Sequence, residues 1–364
     1  MEKVNIVVPA AGKSSRFPNN KPKYLLYDYK GDLMIKNAVR PWMYSSKYRI
    51  VVGILADHNE KFDAADHVKK AIPNAIISIL HKDTLGPADT VYQTLQIADI
   101  DSGPLFIKDC DSLFECEVGG RNIAISNIDK NPNTSYNNLS QKSFVTTNEN
   151  GVVLSIVEKE VVSSTFCIGG YGFQTVEEFD NAYESMRSQN YIHEVFVSDV
   201  IQHMMDNDPS KIFLSVEGKN YVDVGTEELW NLYNDKPVIF CDIDGTIMKA
   251  QSRFGDYSYQ HDPIALERNL ELIKKYENDG AQIIFVTARP LEYIQETRLA
   301  LIKLGFEEPR IIAGLNNSRR ILINDYNAAN PFPRAEAVNI PRDSDTLGDF
   351  LKFATSTRNS SYAR

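Results

Sequence analysis

Two stretches of this 364-residue chain have residue types and spacings suited to phosphate chemistry. In Val238-Ile239-Phe240-Cys241-Asp242-Ile243-Asp244-Gly245-Thr246, a wholly apolar strand delivers two aspartates two residues apart. That spacing puts both carboxylates on the same side of an extended backbone, and Gly245 permits a sharp turn behind them. Carboxylates so placed can act as nucleophile, acid or base; the plainer alternative is an acidic strand end that caps a turn. The N-terminal run VVPAAGKSSRFPNNKPKYLL passes from strand to small-residue loop to basic patch. Small residues let backbone N–H groups approach phosphate oxygens, and Lys13, Arg16 and Lys23 supply neutralising charge. Two better-known phosphate loops are excluded. A Walker A loop needs glycine where Val7 stands, and no G-x-G-x-x-G occurs.

The elements that must position these residues follow an alternating pattern. Apolar runs at 4–9, 49–55, 75–80, 103–108 and 151–157 read as strands, and a second series covers 238–241, 281–286, 310–313 and 321–324. Between them, 263–279 and 291–304 carry apolar residues at three- and four-residue spacing, the mark of helices. Alternation of this kind predicts α/β layers around a mainly parallel sheet. The turn residues at 234–237 (NDKP), followed at once by a fresh buried strand, divide the chain into domains at 1–234 and 235–364. The polar run 131–142 (NPNTSYNNLSQK) reads as a surface loop, and the tail from Thr355 as frayed.

Composition narrows the class. Length suffices for two cores, and 43% hydrophobic with 24% charged residues is globular usage. No apolar run is long enough for a transmembrane helix, and the N-terminus shows no signal peptide. Cys110, Cys116, Cys167 and Cys241 form no C-x-x-C pair, so a disulfide framework or structural zinc is not expected and the chain reads as cytoplasmic. A formal charge of −10 excludes a nucleic-acid backbone as partner but not phosphate substrates, which are bound locally. The six histidines fall in no chemical motif; Trp42 and Trp230 read as core or domain-contact residues.

The run PAAGKSSRF…KPKYLL resembles the signature of sugar-1-phosphate nucleotidyltransferases, and further resemblances follow in the family's order across roughly residues 1–230. Thr84-Leu85-Gly86-Pro87-Ala88-Asp89-Thr90 resembles the glycine segment at the nucleotide base. Ile107-Lys108-Asp109-Cys110-Asp111 resembles the acidic strand-end motif that holds Mg²⁺. Val157-Glu158-Lys159 with Ile168-Gly169-Gly170-Tyr171 resembles the sugar section, and Tyr221-Val222-Asp223-Val224-Gly225-Thr226 the late motif with the second metal carboxylate. The resemblance implies a GT-A-like nucleotidyltransferase fold. It implies nucleotide contacts from Ala10, Ala11, Gly12, Lys13 and Gly86, and catalytic charge from Lys23 and Arg16. Glu158, Lys159 and Gly169 would meet the sugar phosphate, and Asp111 and Asp223 would hold Mg²⁺. Asp109 is an alternative ligand that strand alternation disfavours. One departure stands out: AAGKSS lacks the second glycine of the family's usual G-x-G, with Ser14 or Ser15 in its place.

The strand ending in Asp242 resembles motif one of phosphatases of the haloacid dehalogenase (HAD) superfamily. Ile283-Ile284-Phe285-Val286-Thr287-Ala288-Arg289 resembles motif two, and Leu322-Ile323-Asn324-Asp325 motif four. By that resemblance Asp242 is the nucleophile, Asp244 the general acid and base, and Thr287 a phosphoryl ligand. Asp242, Asp244 and Asp325 form the Mg²⁺ set. The basic residue of motif three is Arg319 or Arg320, with Arg320 favoured. Spacing between the motifs leaves no room for a large cap domain. The whole then reads as two Rossmann-like α/β domains, a nucleotidyltransferase followed by a capless HAD phosphatase. The substrates would be an NTP, a sugar or polyol phosphate, and a phosphomonoester. Two alternatives are a chain with one catalytic domain and one docking module, and a sugar-nucleotide-binding regulator without turnover. The base, the acceptor and the order of the reactions are not written in the sequence; a homo-oligomer is compatible with it.

Overall fold

The computed structural model describes residues 2–14, 17, 21–130, 139, 141–188, 194–250, 262–324 and 335–351. The chain divides into two compact units, Met1–Asp235 and Lys236–Arg364.

Unit one is built on a nine-stranded sheet. β1 (Val4–Ala10), β2 (Tyr48–Leu55), β3 (Ile76–Leu80) and β4 (Leu105–Lys108) are mutually parallel in the order β4-β1-β2-β3. β1 is apolar and almost wholly buried, as a central parallel strand covered on both faces must be. Its alternate residues feed two cores: Val7 packs with Val51, Leu95 and Phe179, while Ile6 and Val8 pack with Trp42 and Phe106. α1 (Met34–Val39), α2 (Ala56–Phe62), α3 (Ala64–Ala71) and α4 (Pro87–Ala98) complete this half. The chain moves outward from β1 through β2 to β3, then returns to the other side of β1 as β4. That reversal makes a crevice at the carboxyl ends of β1 and β4.

The other half corrects the expectation of a mainly parallel sheet. β5 (Ser112–Glu115) leaves the sheet; β6 (Asn122–Asn127), β7 (Ser143–Thr147), β8 (Val153–Glu158) and β9 (Thr165–Phe173) follow. β9 lies antiparallel between β4 and β6, and the β7–β8 hairpin hangs on it. Glycines conceal β9 in the sequence, because they weaken strand propensity. Close packing requires them: a Cβ at Gly170 would lie 2.7 Å from Phe114 and 2.8 Å from Phe106. α5 (Val176–Arg187), capped by the Thr175 hydroxyl, and α6 (Val197–Asn207) cover this half. β10 (Leu214–Glu217) extends the sheet beside β6, and β11 (Lys219–Asp223) pairs with β5. α7 (Glu227–Asn234) closes the unit, its first turn capped by Thr226.

Unit two has a parallel three-stranded sheet, β12 (Val238–Asp242), β13 (Gln282–Val286) and β14 (Arg310–Ile312), with α8 (Glu267–Asn278) and α9 (Ile294–Lys303) between the strands. The expected strand at 321–324 is absent. Ile321, Leu322 and Ile323 are 69%, 52% and 92% exposed, and the segment makes no ladder with any described strand. An apolar run alone does not make a strand without a neighbour to pair with. Residues 325–334 and 352–364, including Asp325 and the polar tail, lie outside the described residues, as do His193 and His261.

On α5, Asp180 accepts from Gln96 at 3.1 Å and Glu184 from Tyr92 at 2.6 Å. The second Asp180 oxygen is buried without a hydrogen-bond partner among the described residues. Burial, followed by the Glu184 charge, pushes the Asp180 carboxyl up to about 7. A carboxyl raised in the folded state binds more protons there than in the unfolded chain. Stability therefore falls as pH rises from about 4 to about 7. Asp180→Asn is expected to flatten that fall, so urea denaturation near pH 5 and near pH 8 gives midpoints closer together than in the parent.

Candidate functional site

The crevice at the carboxyl ends of β1 and β4 is a cleft of about 780 Å³. Ala10, Ala11, Gly12, Lys13 and Gly86, expected at the nucleotide, all line it. So do Lys23, Asp111 and Asp223, and so do Glu158, Lys159 and Gly169 from the β7–β9 side. Arg16 lies outside the described residues.

Asp111 follows β4 and Asp223 ends β11, so two separate strand ends bring the carboxylates together. A Cβ built on Gly225 would sit 2.8 Å from Asp111 Oδ2 and 3.1 Å from Asp223 Oδ1. The two carboxylates thus close in on Gly225 and leave no room for a side chain there, which brings two hard oxygen donors close together, a donor set suited to Mg²⁺. Each carboxylate is paired with a lysine: Asp111 with Lys23, and Asp223 with Lys142 at 2.6 Å. Burial opposes the charge of Asp111, yet Lys23, then Lys142 and Lys108, hold its carboxyl well below the usual range. Asp109 is different: burial and the neighbouring Asp111 push its carboxyl up. Its backbone N–H donates to Gly169 O at 2.9 Å, and a Cβ at Gly169 would strike the Asp109 Cβ at 2.8 Å.

Two lysines of this cluster were not legible as functional. Lys142 belongs to the run read as polar surface, yet its side chain is only 19% exposed and reaches Asp223. Nothing in NNLSQK marks it; its placement follows from the β7–β8 register, in which the Lys159 N–H donates to Lys142 O at 3.0 Å. Lys108 is fully buried and donates to Asp109 O at 2.7 Å, Ser112 O at 2.6 Å and Ser112 Oγ at 2.9 Å. Burial pulls its ammonium down to about 8. A lysine inside an otherwise apolar strand was the available signal.

The loops are held as firmly. Gly86 adopts φ +139°, and a Cβ there would lie 2.6 Å from Val195 O. Asp89 fixes this turn by accepting from Leu85 N–H at 2.8 Å, Gln93 at 2.9 Å and Tyr183 at 2.7 Å. Glu158 accepts from the Ser143 and Ser198 hydroxyls, the latter at 2.7 Å. The Lys159 ammonium lies 4.2 Å from the centre of the Phe196 ring.

In unit two, Asp242 at the end of β12 accepts from Thr246 Oγ1 at 3.3 Å and pairs with Arg320 at 3.1 Å. Burial raises its carboxyl, and Arg320 works against that rise. Arg289 grips both oxygens of Asp244, Nε to Oδ2 at 2.8 Å and Nη2 to Oδ1 at 2.7 Å. Such a two-point grip orients the carboxylate and engages both of its oxygens. Thr287 is 2% exposed, and its hydroxyl accepts from Arg289 N–H at 3.1 Å. That bond leaves the hydroxyl hydrogen uncommitted. Arg289 sits two residues beyond Thr287 on the motif-two strand end, a spacing that could have identified it.

Residues 239–316 match the haloacid dehalogenase-like hydrolase family. The matched HAD span includes Asp242, Asp244, Thr287 and Arg289 and stops before Arg320. No curated protein matches the chain. Among solved structures, a nucleoside-diphosphate-sugar pyrophosphorylase from Vibrio cholerae is similar over 62% of this chain and 98% of its own, with 18% identity and a TM-score of 0.52. An inositol-1-phosphate CTP transferase from T. maritima is 17% identical over 64% of this chain and 94% of its own, with a TM-score of 0.49. The N-terminal part of the chain therefore has a nucleotidyltransferase-like fold, and the C-terminal part is HAD-like.

The Arg289 side chain is 2% exposed and Asp244 is 17% exposed, so removing either partner strands a largely buried charge. Arg289→Met is expected to lower the stability of the HAD unit by roughly 3–5 kcal/mol. Asp244→Asn combined with Arg289→Met is expected to lose less than the two single variants added together. Thermal and denaturant unfolding of the four proteins measures the coupling.

Proposed function

We propose that the chain is a bifunctional enzyme: residues 1–234 transfer a nucleotidyl group from an NTP to a sugar or polyol phosphate, and residues 235–364 hydrolyse a phosphomonoester. The observation that carries the first half is the single cleft into which two carboxylates, the glycine loops and the Glu158-Lys159 pair converge. The second half rests on Asp242 and Asp244 at the end of a parallel strand inside a hydrolase-family match.

In the transferase reaction an oxygen of the acceptor phosphate attacks the α-phosphorus, a new P–O bond forms, and pyrophosphate leaves as the bond between the α- and β-phosphates breaks. Two polyanions must meet, so the protein's task is positioning and charge neutralisation. Backbone N–H groups of Ala11 and Gly12, with Lys13, cradle the triphosphate. Lys23 and Arg16 neutralise the reacting phosphoryl group and the departing pyrophosphate. Lys159 binds the acceptor phosphate and Glu158 one of its hydroxyls. Asp111 and Asp223 would hold Mg²⁺, which supplies Lewis-acid charge at the α-phosphate. In the phosphatase reaction Asp242 attacks phosphorus and the bond to the alcohol breaks, while Asp244, with one oxygen released from Arg289 to carry the proton, protonates the departing alcohol. The aspartyl-phosphate is then hydrolysed by water that Asp244 deprotonates, which returns the Asp242 carboxylate and releases inorganic phosphate. Thr287 and Arg320 hold the phosphoryl oxygens, and Asp242, Asp244 and Asp325 would hold Mg²⁺. Synthesis of a nucleotide sugar for a glycan suits this pairing of activities. Among the described residues no helix is long and apolar enough to cross a membrane.

Asp111→Asn is expected to cut pyrophosphate release from an NTP and sugar-phosphate panel by about 10²-fold or more while leaving phosphate release unchanged. Asp242→Asn is expected to do the reverse. Coupled assays for both products decide: no pyrophosphate release by the parent would reject the transferase assignment, release that persists undiminished in Asp111→Asn would reject the role of Asp111, and undiminished phosphatase turnover in Asp242→Asn would reject the aspartyl-phosphate route.

A further inference from the structure

Lys142 occupies an unusual position in the transferase cleft. Its backbone belongs to the acceptor side: Lys142 O accepts from Lys159 N–H at 3.0 Å, and the next residue, Ser143, is in register with Glu158 across the hairpin. Its side chain crosses to the other group and meets Asp223 Oδ2 at 2.6 Å. The second oxygen of that carboxylate is tied down, since Asp223 Oδ1 accepts from Gly225 N–H at 2.9 Å. The only side-chain partner of Oδ2 among the described residues is therefore the end of a long, flexible side chain.

Asp111 and Asp223, brought together beside Gly225, are the two carboxylates that would share a divalent cation. An ammonium already neutralises each of these carboxylates. A divalent cation brought beside both ammonium groups would be repelled unless an anion came with it or one of them moved away. Both lysines have anchored backbones, Lys23 through its N–H to Ser14 Oγ at 3.0 Å and Lys142 through its N–H to Leu139 O at 3.0 Å, so it is the side chains that can move. Lys142 has a second destination, because its anchor stands next to Lys159 on the wall where an acceptor phosphate would bind.

We propose that Lys142 is an exchangeable counter-ion: it neutralises Asp223 in the substrate-free protein and hands that carboxylate to a divalent cation as its ammonium swings to the acceptor phosphate. This rests on the assignment of Asp111 and Asp223 as the metal carboxylates. The exchange links the two binding events. Metal alone must displace Lys142 against a formed ion pair, whereas metal and a phosphorylated acceptor together leave every charge matched. Lys142 is thereby a positioning residue for the carboxylates and a specificity residue for the phosphate.

The test is Mn²⁺ binding to the full-length chain, followed by electron paramagnetic resonance without nucleotide or sugar, in an Asp242→Asn background that weakens the HAD metal site. Lys142→Met is expected to bind Mn²⁺ roughly fivefold or more tightly than the parent, because its competitor is gone. Its KM for the acceptor phosphate should rise by a similar factor while the KM for the NTP stays close to that of the parent. Lys142→Gln keeps a hydrogen-bond donor near Asp223 without the charge and serves if the methionine variant does not fold; it should also bind Mn²⁺ more tightly. If Lys142 variants bind Mn²⁺ no more tightly while Asp111→Asn weakens binding, the exchange is wrong and the metal site stands. Unaltered Mn²⁺ binding in Asp111→Asn would remove the metal-site assignment itself, and the exchange with it.

Discussion

Carboxylates gathered at one point repel each other, and the pairing of Asp111 and Asp223 with Lys23 and Lys142 is the arrangement on which the unit-one cleft depends. The four residues come from four places in the chain, and each is delivered by a different local device. Asp111 stands on a turn clamped by the buried Lys108. Asp223 ends β11 just before the Thr226 cap of α7. Lys142 enters with the β7–β8 hairpin, and Lys23 is tied to the phosphate loop through Ser14. Loss of one charge from such a cluster changes the cost of all the others, because in a partly desolvated cleft the interactions are strong and poorly screened. That is why burial alone would raise Asp111 while the neighbouring ammonium groups bring it far down.

The HAD unit solves a smaller version of the same problem. Two aspartates two residues apart on a strand end are separated in role by their partners. Asp244 is gripped at two points by a buried arginine, whereas Asp242 meets Arg320 through a single 3.1 Å contact and stays accessible. The division follows from β13 ending beside β12 in parallel register, Asp242 opposite Val286, which brings Arg289 within reach.

The features that the sequence made legible were those written in contiguous patterns: buried apolar strands, turn residues at the boundary, and motifs whose members lie within a few residues of one another. β1, β2 and β13 needed no tertiary information, because each is an apolar run largely buried by its neighbours; β12 was placed correctly, but it is not the buried strand expected, since Val238 and Phe240 are 49% and 47% exposed. The hidden features depend on contacts made far along the chain. β9 was masked by glycines that close packing against Phe106 and Phe114 demands. Residues 321–324 have the composition of a strand and no partner to make them one. Lys142 sits in a polar run that resembles a loop, and only the hairpin register reveals its direction. Arg289 was in view within its motif, yet its role required knowing that β13 lies beside β12.

The phosphate loop shows how a departure from a family pattern can be absorbed. Where the usual G-x-G would have its second glycine, Ser14 adopts φ +50°, a conformation glycine reaches freely. For an L-residue the left-handed region costs roughly 1–2 kcal/mol. The serine hydroxyl accepts from Lys23 N–H at 3.0 Å, a bond that glycine cannot make and that contributes about 0.5–1.5 kcal/mol. The two effects are of similar size, so the substitution need not weaken the loop. It changes what the loop is joined to: the backbone that carries Lys23, the lysine paired with Asp111, is fixed to the strand-to-loop turn.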